Sequence, residues 1–151
     1  MEAQYIEINE NGSKFYFKDK AMTKRHREDG AAVEWANGDK AWYLDGKRHR
    51  EDGPAIEYAD GDKAWYINGK LHREDGAAIE YANGNKYWYL DDKRHREDGP
   101  AIMRTNGYKA WHLEGKKYTQ AEFKAKMNPT KELTVADIEK LLGHRVKIVK
   151  Q

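Results

Sequence analysis

The sequence predicts an all-β repeat protein: an elongated, single-layer antiparallel meander of β-hairpins with a small C-terminal helix and a helix–strand tail. Three observations predict it. A 23-residue unit recurs, since His26, His49, His72 and His95 are spaced by 23, as are Trp42, Trp65, Trp88 and Trp111. Each unit carries an Asn-Gly or Asp-Gly dipeptide between short aromatic and β-branched runs, a strong hairpin signal. Five Trp and ten Tyr accompany only 38% hydrophobic and 36% charged residues. That balance suits rings laid along a thin sheet. It is too aromatic for a disordered polyampholyte.

The repeat array is expected over residues 1–118. A degenerate first unit, 1–31, precedes units 32–54, 55–77, 78–100 and 101–118. Terminal units of such arrays are atypical because they cap the stack. Within a unit, Asn37-Gly38, Asp60-Gly61, Asn83-Gly84 and Asn106-Gly107 mark one turn. Asp45-Gly46, Asn68-Gly69, Asp91-Asp92 and Glu114-Gly115 mark a second, and the Asp-Gly that closes His-Arg-Glu-Asp-Gly makes a third bend. Two strands per unit at roughly 4.8 Å advance the array by about 10 Å per repeat, on the order of 45 Å in all.

A two-residue loop at Asn37-Gly38 places Val33 opposite Trp42 and Trp35 opposite Lys40. Opposed residues share a face, and alternate residues along a strand share a face. One face then carries Val33, Trp35, Trp42 and Leu44, with a Trp ladder (Trp42, Trp65, Trp88, Trp111) beside Trp35, Tyr58 and Tyr81. The other carries Tyr43, Tyr66, Tyr89 and His112 beside Glu34, Glu57 and Glu80. Exposed aromatics interleaved with charge make an interaction surface, so this second face is the expected binding surface.

After Tyr118 the pattern changes. Thr119-Gln120-Ala121-Glu122 is a capping-box signature, so a helix over 119–128 is expected to cover the last strand, ending at Asn128-Pro129. Residues 130–151 form a tail: a helix starting at Thr134 and stopping at Gly143, then a strand-like alternation over Arg145-Val146-Lys147-Ile148-Val149-Lys150.

The His-Arg-Glu-Asp tetrads (26–29, 49–52, 72–75, 95–98) offer acids, bases and metal donors. A catalytic site needs one unique constellation, whereas a repeat needs the same residues in every unit. The four histidines are therefore read with the Trp ladder as structural, and no catalytic residue, metal or cofactor is assigned. Nucleotide-binding and hydrolase signatures do not occur. Lys40, Lys63, Lys86 and Lys109 read as a solvated ladder. The formal net charge of +2 gives no footprint of a general nucleic-acid binder, and the absence of cysteine fits a reducing compartment. No apolar run is long enough to cross a membrane, and Met1-Glu2-Ala3-Gln4 lacks the features of a signal peptide. A cytoplasmic location is expected.

Trp65-Tyr66-Ile67-Asn68-Gly69-Lys70-Leu71-His72, then Gly76, then Glu80-Tyr81-Ala82-Asn83-Gly84 resembles a MORN (membrane occupation and recognition nexus) repeat, over about residues 5–118. The MORN pattern usually has Gly after the His; here Arg-Glu-Asp intervenes. The His-Arg-Glu-Asp-Gly-Pro-Ala variant is similar to repeats in proteins of large bacteriophages and giant viruses, and the 132–149 segment resembles a tail on phage proteins. The resemblance implies a scaffold with a shallow groove, some members of which dimerise or touch acidic lipids. The function expected is a non-enzymatic, phage-encoded protein binding a host protein in the host cytoplasm. A nucleotide sponge and a membrane-associated scaffold stand as alternatives, and a homodimer is a further expected partner.

Overall fold

The computed structural model describes residues 5–129 and 134–145. The expected strand after Gly143 lies, apart from Arg145, outside the described residues. The degenerate first unit gives β1 (Tyr5–Ile8) and β2 (Lys14–Phe17). Unit 32–54 gives β3 (Val33–Glu34), β4 (Lys40–Ala41), β5 (Tyr43–Leu44) and β6 (Lys47–Arg48). Unit 55–77 repeats them as β7 (Ile56–Glu57), β8 (Lys63–Ala64), β9 (Tyr66–Ile67) and β10 (Lys70–Leu71). Unit 78–100 does so as β11 (Ile79–Glu80), β12 (Lys86–Tyr87), β13 (Tyr89–Leu90) and β14 (Lys93–Arg94). The last unit has β15 (Ile102–Met103), a longer β16 (Lys109–Leu113) and β17 (Lys116–Tyr118). The chain is an all-β repeat meander, as expected from its sequence.

Its strands divide into two bands. An 11-stranded antiparallel sheet runs β1-β2-β3-β4-β7-β8-β11-β12-β15-β16-β17, and β5-β6, β9-β10 and β13-β14 form two-stranded ribbons beside it. Trp42 is the crossing point. Its N–H donates to the Ala55 carbonyl at 2.8 Å, and its own carbonyl accepts from the His49 N–H at 3.1 Å. Neighbouring ribbons are tied by Arg50 N–H to the Tyr66 carbonyl (3.1 Å) and Gly69 N–H to the Arg48 carbonyl (2.8 Å). A single hairpin is marginal in water; these ties make each unit the template for the next.

The first turn corrects the expected register. Trp35 donates to Asp39 O and Gly38 donates to Trp35 O, with Gly38 at φ 95°, so the loop is three residues long, Ala36-Asn37-Gly38. Asn-Gly suits both the two-residue turn and this three-residue loop with a bulge. Val33 therefore pairs with Ala41 and Glu34 with Lys40. A one-residue slip turns every partner over to the other face. The second turn is the expected two-residue kind: Leu44 pairs with Lys47 around Asp45 (φ 49°) and Gly46 (φ 80°).

The register creates two rows across the sheet. Phe15, Val33, Ala41, Ile56, Ala64, Ile79, Tyr87, Ile102 and Ala110 follow one another as paired neighbours. The same pairings on the other face align Lys14, Glu34, Lys40, Glu57, Lys63, Glu80, Lys86, Met103 and Lys109, with opposite charges alternating up to Met103. The apolar row is the core. Val33, Ala41, Ile56 and Ala64 are buried, with Phe15, Trp35, Tyr43, Tyr66, Leu71 and Ile79 packed against them. Burial of each branched side chain contributes roughly 1.5–3 kcal/mol.

The array's C-terminal end is covered. Helix α1 (Gln120–Met127) starts at Thr119, whose hydroxyl accepts from Glu122 N–H while the Glu122 carboxylate accepts from Thr119 N–H. Its Phe123 is buried, and it packs on β16 and β17. Helix α2 (Val135–Leu142) has the same box from Thr134 and Asp137 and ends at Gly143 in the left-handed conformation. At the other end of the array, Ile6 and Ile8 of β1 are exposed.

Candidate functional site

The tetrads form a structural clamp. The Arg50 guanidinium carbon lies 4.0 Å from the centre of the Trp42 ring; Arg73 stands likewise on Trp65 and Arg96 on Trp88, and Arg27 stands 4.1 Å from the Tyr16 ring. Arg50 Nε donates to Asp52 at 2.8 Å, and Nη1 donates to Glu57 of the next unit at 3.0 Å and to the Pro54 carbonyl at 3.2 Å. Gly53 closes the clamp: a Cβ there would meet Arg50 Cζ at 2.9 Å. Arg27 and Arg73 repeat the pattern with Asp29 and Glu34, and with Asp75 and Glu80. The bonded arginines hold Asp29, Asp52, Asp75 and Asp98 below the usual aspartate range.

The histidines are committed as well. His26 Nδ1 accepts from Asp45 N–H at 3.0 Å, His49 from Asn68 N–H at 3.2 Å, His72 from Asp91 N–H at 3.4 Å and His95 from Glu114 N–H at 3.1 Å. Each acceptor caps a residue of positive φ in the next unit's turn. Their Nε2 atoms lie 3.5–3.8 Å from Glu28, Glu51, Glu74 and Glu97. The first turns are tied in the same way: Asp39 accepts from Ala59 N–H, Asp62 from Ala82 N–H and Asn85 from Thr105 N–H, at 2.8–2.9 Å.

The expected binding surface is not one face. Glu34, Glu57 and Glu80 lie with Trp42, Trp65 and Trp88 and are gripped by Arg27, Arg50 and Arg73. Tyr43, Tyr66 and Tyr89 lie half-buried on the opposite, core side. His112, in the same slot, is buried; burial pushes its imidazole below the usual value, and its Nδ1 has no hydrogen-bond partner. The three-residue loop is the cause, since it exchanges the Trp and Tyr ladders. Trp111 keeps its slot, but no tetrad follows it, and α1 lies alongside: Trp111 and Phe123 line one cleft.

The face on the core side carries the rings that sequence reasoning assigned to the Trp face. Trp35 is half-buried, while Tyr58 and Tyr81 are 46% and 39% exposed. Near the array's end Tyr87 replaces the alanine of the other units, Tyr81 meets it edge-on at 5.7 Å, and Arg104 Nε donates to its hydroxyl at 3.2 Å. Arg104 also lies 5.0 Å from the ring of Tyr108, which is 43% exposed. The signal that could have found this cluster is departure from the repeat: Tyr87, Arg104 and Tyr108 stand where the preceding units have alanine, an aromatic ring, and Asp or Asn.

On the Trp face, clefts of about 650 Å³ open between successive tetrad loops, lined by Trp65, Ile67, His72 and the acidic residues of both loops. Among the described residues no group of three or more His, Asp or Glu could hold a metal ion. No helix among them is long and apolar enough to cross a membrane. Neither a protein-family model nor a curated protein matches the chain.

Proposed function

We propose that the chain is a non-enzymatic binding protein, a phage-encoded MORN-like scaffold that engages a host protein in the host cytoplasm through the tyrosine-bearing face of its array. One observation carries this reading. The tetrad arginines, histidines and aspartates are consumed by bonds within and between units, whereas Tyr58, Tyr81 and Tyr108 remain exposed on one face. Aromatic rings on a rigid support make interface anchors at low entropic cost. The phage origin and the host target rest on the resemblance of the repeats and are analogy.

Capture from bacterial lysate, followed by mass spectrometry, tests it. The native chain is expected to retain one stoichiometric protein, and Tyr58→Ala/Tyr81→Ala to lose it while remaining folded at the temperature of the assay. Retention of the same protein by the double variant would refute the assigned surface.

A further inference from the structure

The arginines of the array divide by what they touch. On the Trp face, Arg27, Arg50, Arg73 and Arg96 each hold at least one carboxylate at 2.6–3.2 Å. On the core face, Arg25, Arg48, Arg94 and Arg104 have no carboxylate among the described residues within ion-pair distance. They hold rings instead. Arg25 stands 5.3 Å from the Phe15 centroid and 5.7 Å from that of Tyr43, Arg48 5.3 Å from Tyr66, Arg94 5.9 Å from Tyr89 and Arg104 5.0 Å from Tyr108. The Nε atoms of Arg48, Arg94 and Arg104 donate to the hydroxyls of Tyr43, Tyr89 and Tyr87 at 3.2–3.3 Å.

A ring and a phenol orient a guanidinium without neutralising it. The face therefore presents full positive charges held in position, with Arg25 and Arg48 one unit, about 10 Å, apart. We propose that this face docks an acidic polypeptide, whose Asp and Glu carboxylates take the guanidinium groups in forked, two-bond contacts. The proposal rests on the reading that this is the binding face, and it adds the chemistry of the partner. A nucleic-acid strand fits less well, because base stacking along a strand needs a run of free ring faces. Guanidinium groups already lie over Tyr43, Tyr66, Tyr89 and Tyr108, leaving Tyr58 and Tyr81 as the exposed rings without one.

The array supplies its own test substitutions. Leu71 occupies the slot of Arg48 and Arg94, and Tyr81 occupies the slot of Arg104. Arg48→Leu/Arg94→Leu/Arg104→Tyr removes three charges using residues the fold already accepts there. The experiment selects displayed random 12-residue peptides on the full native chain and measures the winners as synthetic peptides. The expected result is enrichment of Asp and Glu, and a loss of affinity in the triple variant of at least tenfold, since each lost guanidinium removes charge-assisted hydrogen bonds to the peptide. Replacing the peptide carboxylates with Asn and Gln should lose as much.

Winners poor in acidic residues, acidic winners that bind the triple variant equally, or no enrichment would each overturn the proposal. Non-acidic winners that still lose binding to Tyr58→Ala/Tyr81→Ala would overturn it while leaving the tyrosine face as the binding surface. Winners insensitive to both variants would remove both readings. Should the triple variant melt early, Arg48→Lys/Arg94→Lys/Arg104→Lys, which keeps the charge and loses the fork, takes its place. Weakened binding is then expected, and unchanged affinity would overturn the proposal.

Discussion

Replacing Gly53 with alanine isolates the tetrad clamp. Gly53 does not have positive φ, so alanine meets no left-handed penalty there. What it meets is Arg50 Cζ at 2.9 Å. A free arginine tip would swing away at little cost. This one has the Trp42 ring 4.0 Å away, and Asp52 and Glu57 bonded at 2.8 and 3.0 Å. Displacing it forfeits a cation–π contact of about 0.5–2 kcal/mol and weakens the charge-assisted bonds, about 2 kcal/mol in all. For a chain of this size that is a fall in melting temperature of about 4–8 °C. In an Arg50→Ala background the obstruction is gone, and Gly53→Ala should stabilise by about 0.4–1 kcal/mol through the unfolded chain. The substitution changes sign with its neighbour, a coupling of roughly 2–3 kcal/mol in a double-mutant cycle. Gly99 is the internal control: its Cβ would stand 3.2 Å from Arg96, and Arg96 reaches Met103 Sδ where the others reach a glutamate. Gly99→Ala should cost less. Urea unfolding followed by far-UV circular dichroism reads all four. A Gly53→Ala cost that persists without Arg50 would refute the clamp.

Asp62→Asn should be neutral, because Asn85 performs the same capping of Thr105 N–H, whereas Asp62→Ala should cost about 1 kcal/mol in urea unfolding. Asp29, Asp52, Asp75 and Asp98 hold their protons less tightly folded than unfolded, because arginine bonds stabilise the carboxylates. Their stabilisation is therefore complete above the unfolded aspartate value, about 3.9, and is lost as pH falls through the lower folded values. Changing all four to asparagine should flatten the acid limb of a melting-temperature profile. Thr119→Ala removes a capping box and should cost about 1 kcal/mol, measured as faster amide exchange in α1. Excision of residues 55–77 joins Pro54 to Ala78 and restores each inter-unit partner in kind: Glu80 for Glu57, Ala82 for Ala59, Tyr89 for Tyr66. The shortened chain should fold, with small-angle scattering reporting a length reduced by about 10 Å.

The repeat and both turn positions were legible because periodicity and turn chemistry are local. The faces were not, because Asn37-Gly38 suits loops of two or three residues and one residue decides which side every ring takes. The deciding signal was in the sequence all the same. Only the three-residue loop sets Glu34 against Lys40, Glu57 against Lys63 and Glu80 against Lys86, opposite charges in every unit. Pairing Trp35 with Lys40 left that complementarity unused. The clamp was illegible for another reason. Nothing in His-Arg-Glu-Asp-Gly tells that Arg turns back onto a tryptophan eight residues earlier, so the glycine's role appears only once Arg50 is seen between Trp42 and Gly53.

A sheet is stable when something covers its apolar faces, and most domains meet that need with a second layer of helices or strands. Here the repeat supplies its own cover on both sides: rings such as Phe15, Trp35, Tyr43 and Tyr66 pack against the apolar row, and the tetrad loops lie over the Trp rings of the other face. Each tetrad arm brings a guanidinium to within 4.1 Å of a ring, and buried Ala32, Ala55, Ala78 and Ala101 lie where it returns to the sheet. The charged fraction of 36% accords with that economy: on the Trp face the cover is arginine, fixed by aspartate and glutamate. The arrangement also explains why α1 is needed at the end. The last unit has no tetrad to lay over Trp111, and Phe123, carried on a capped helix, lines the cleft beside it instead.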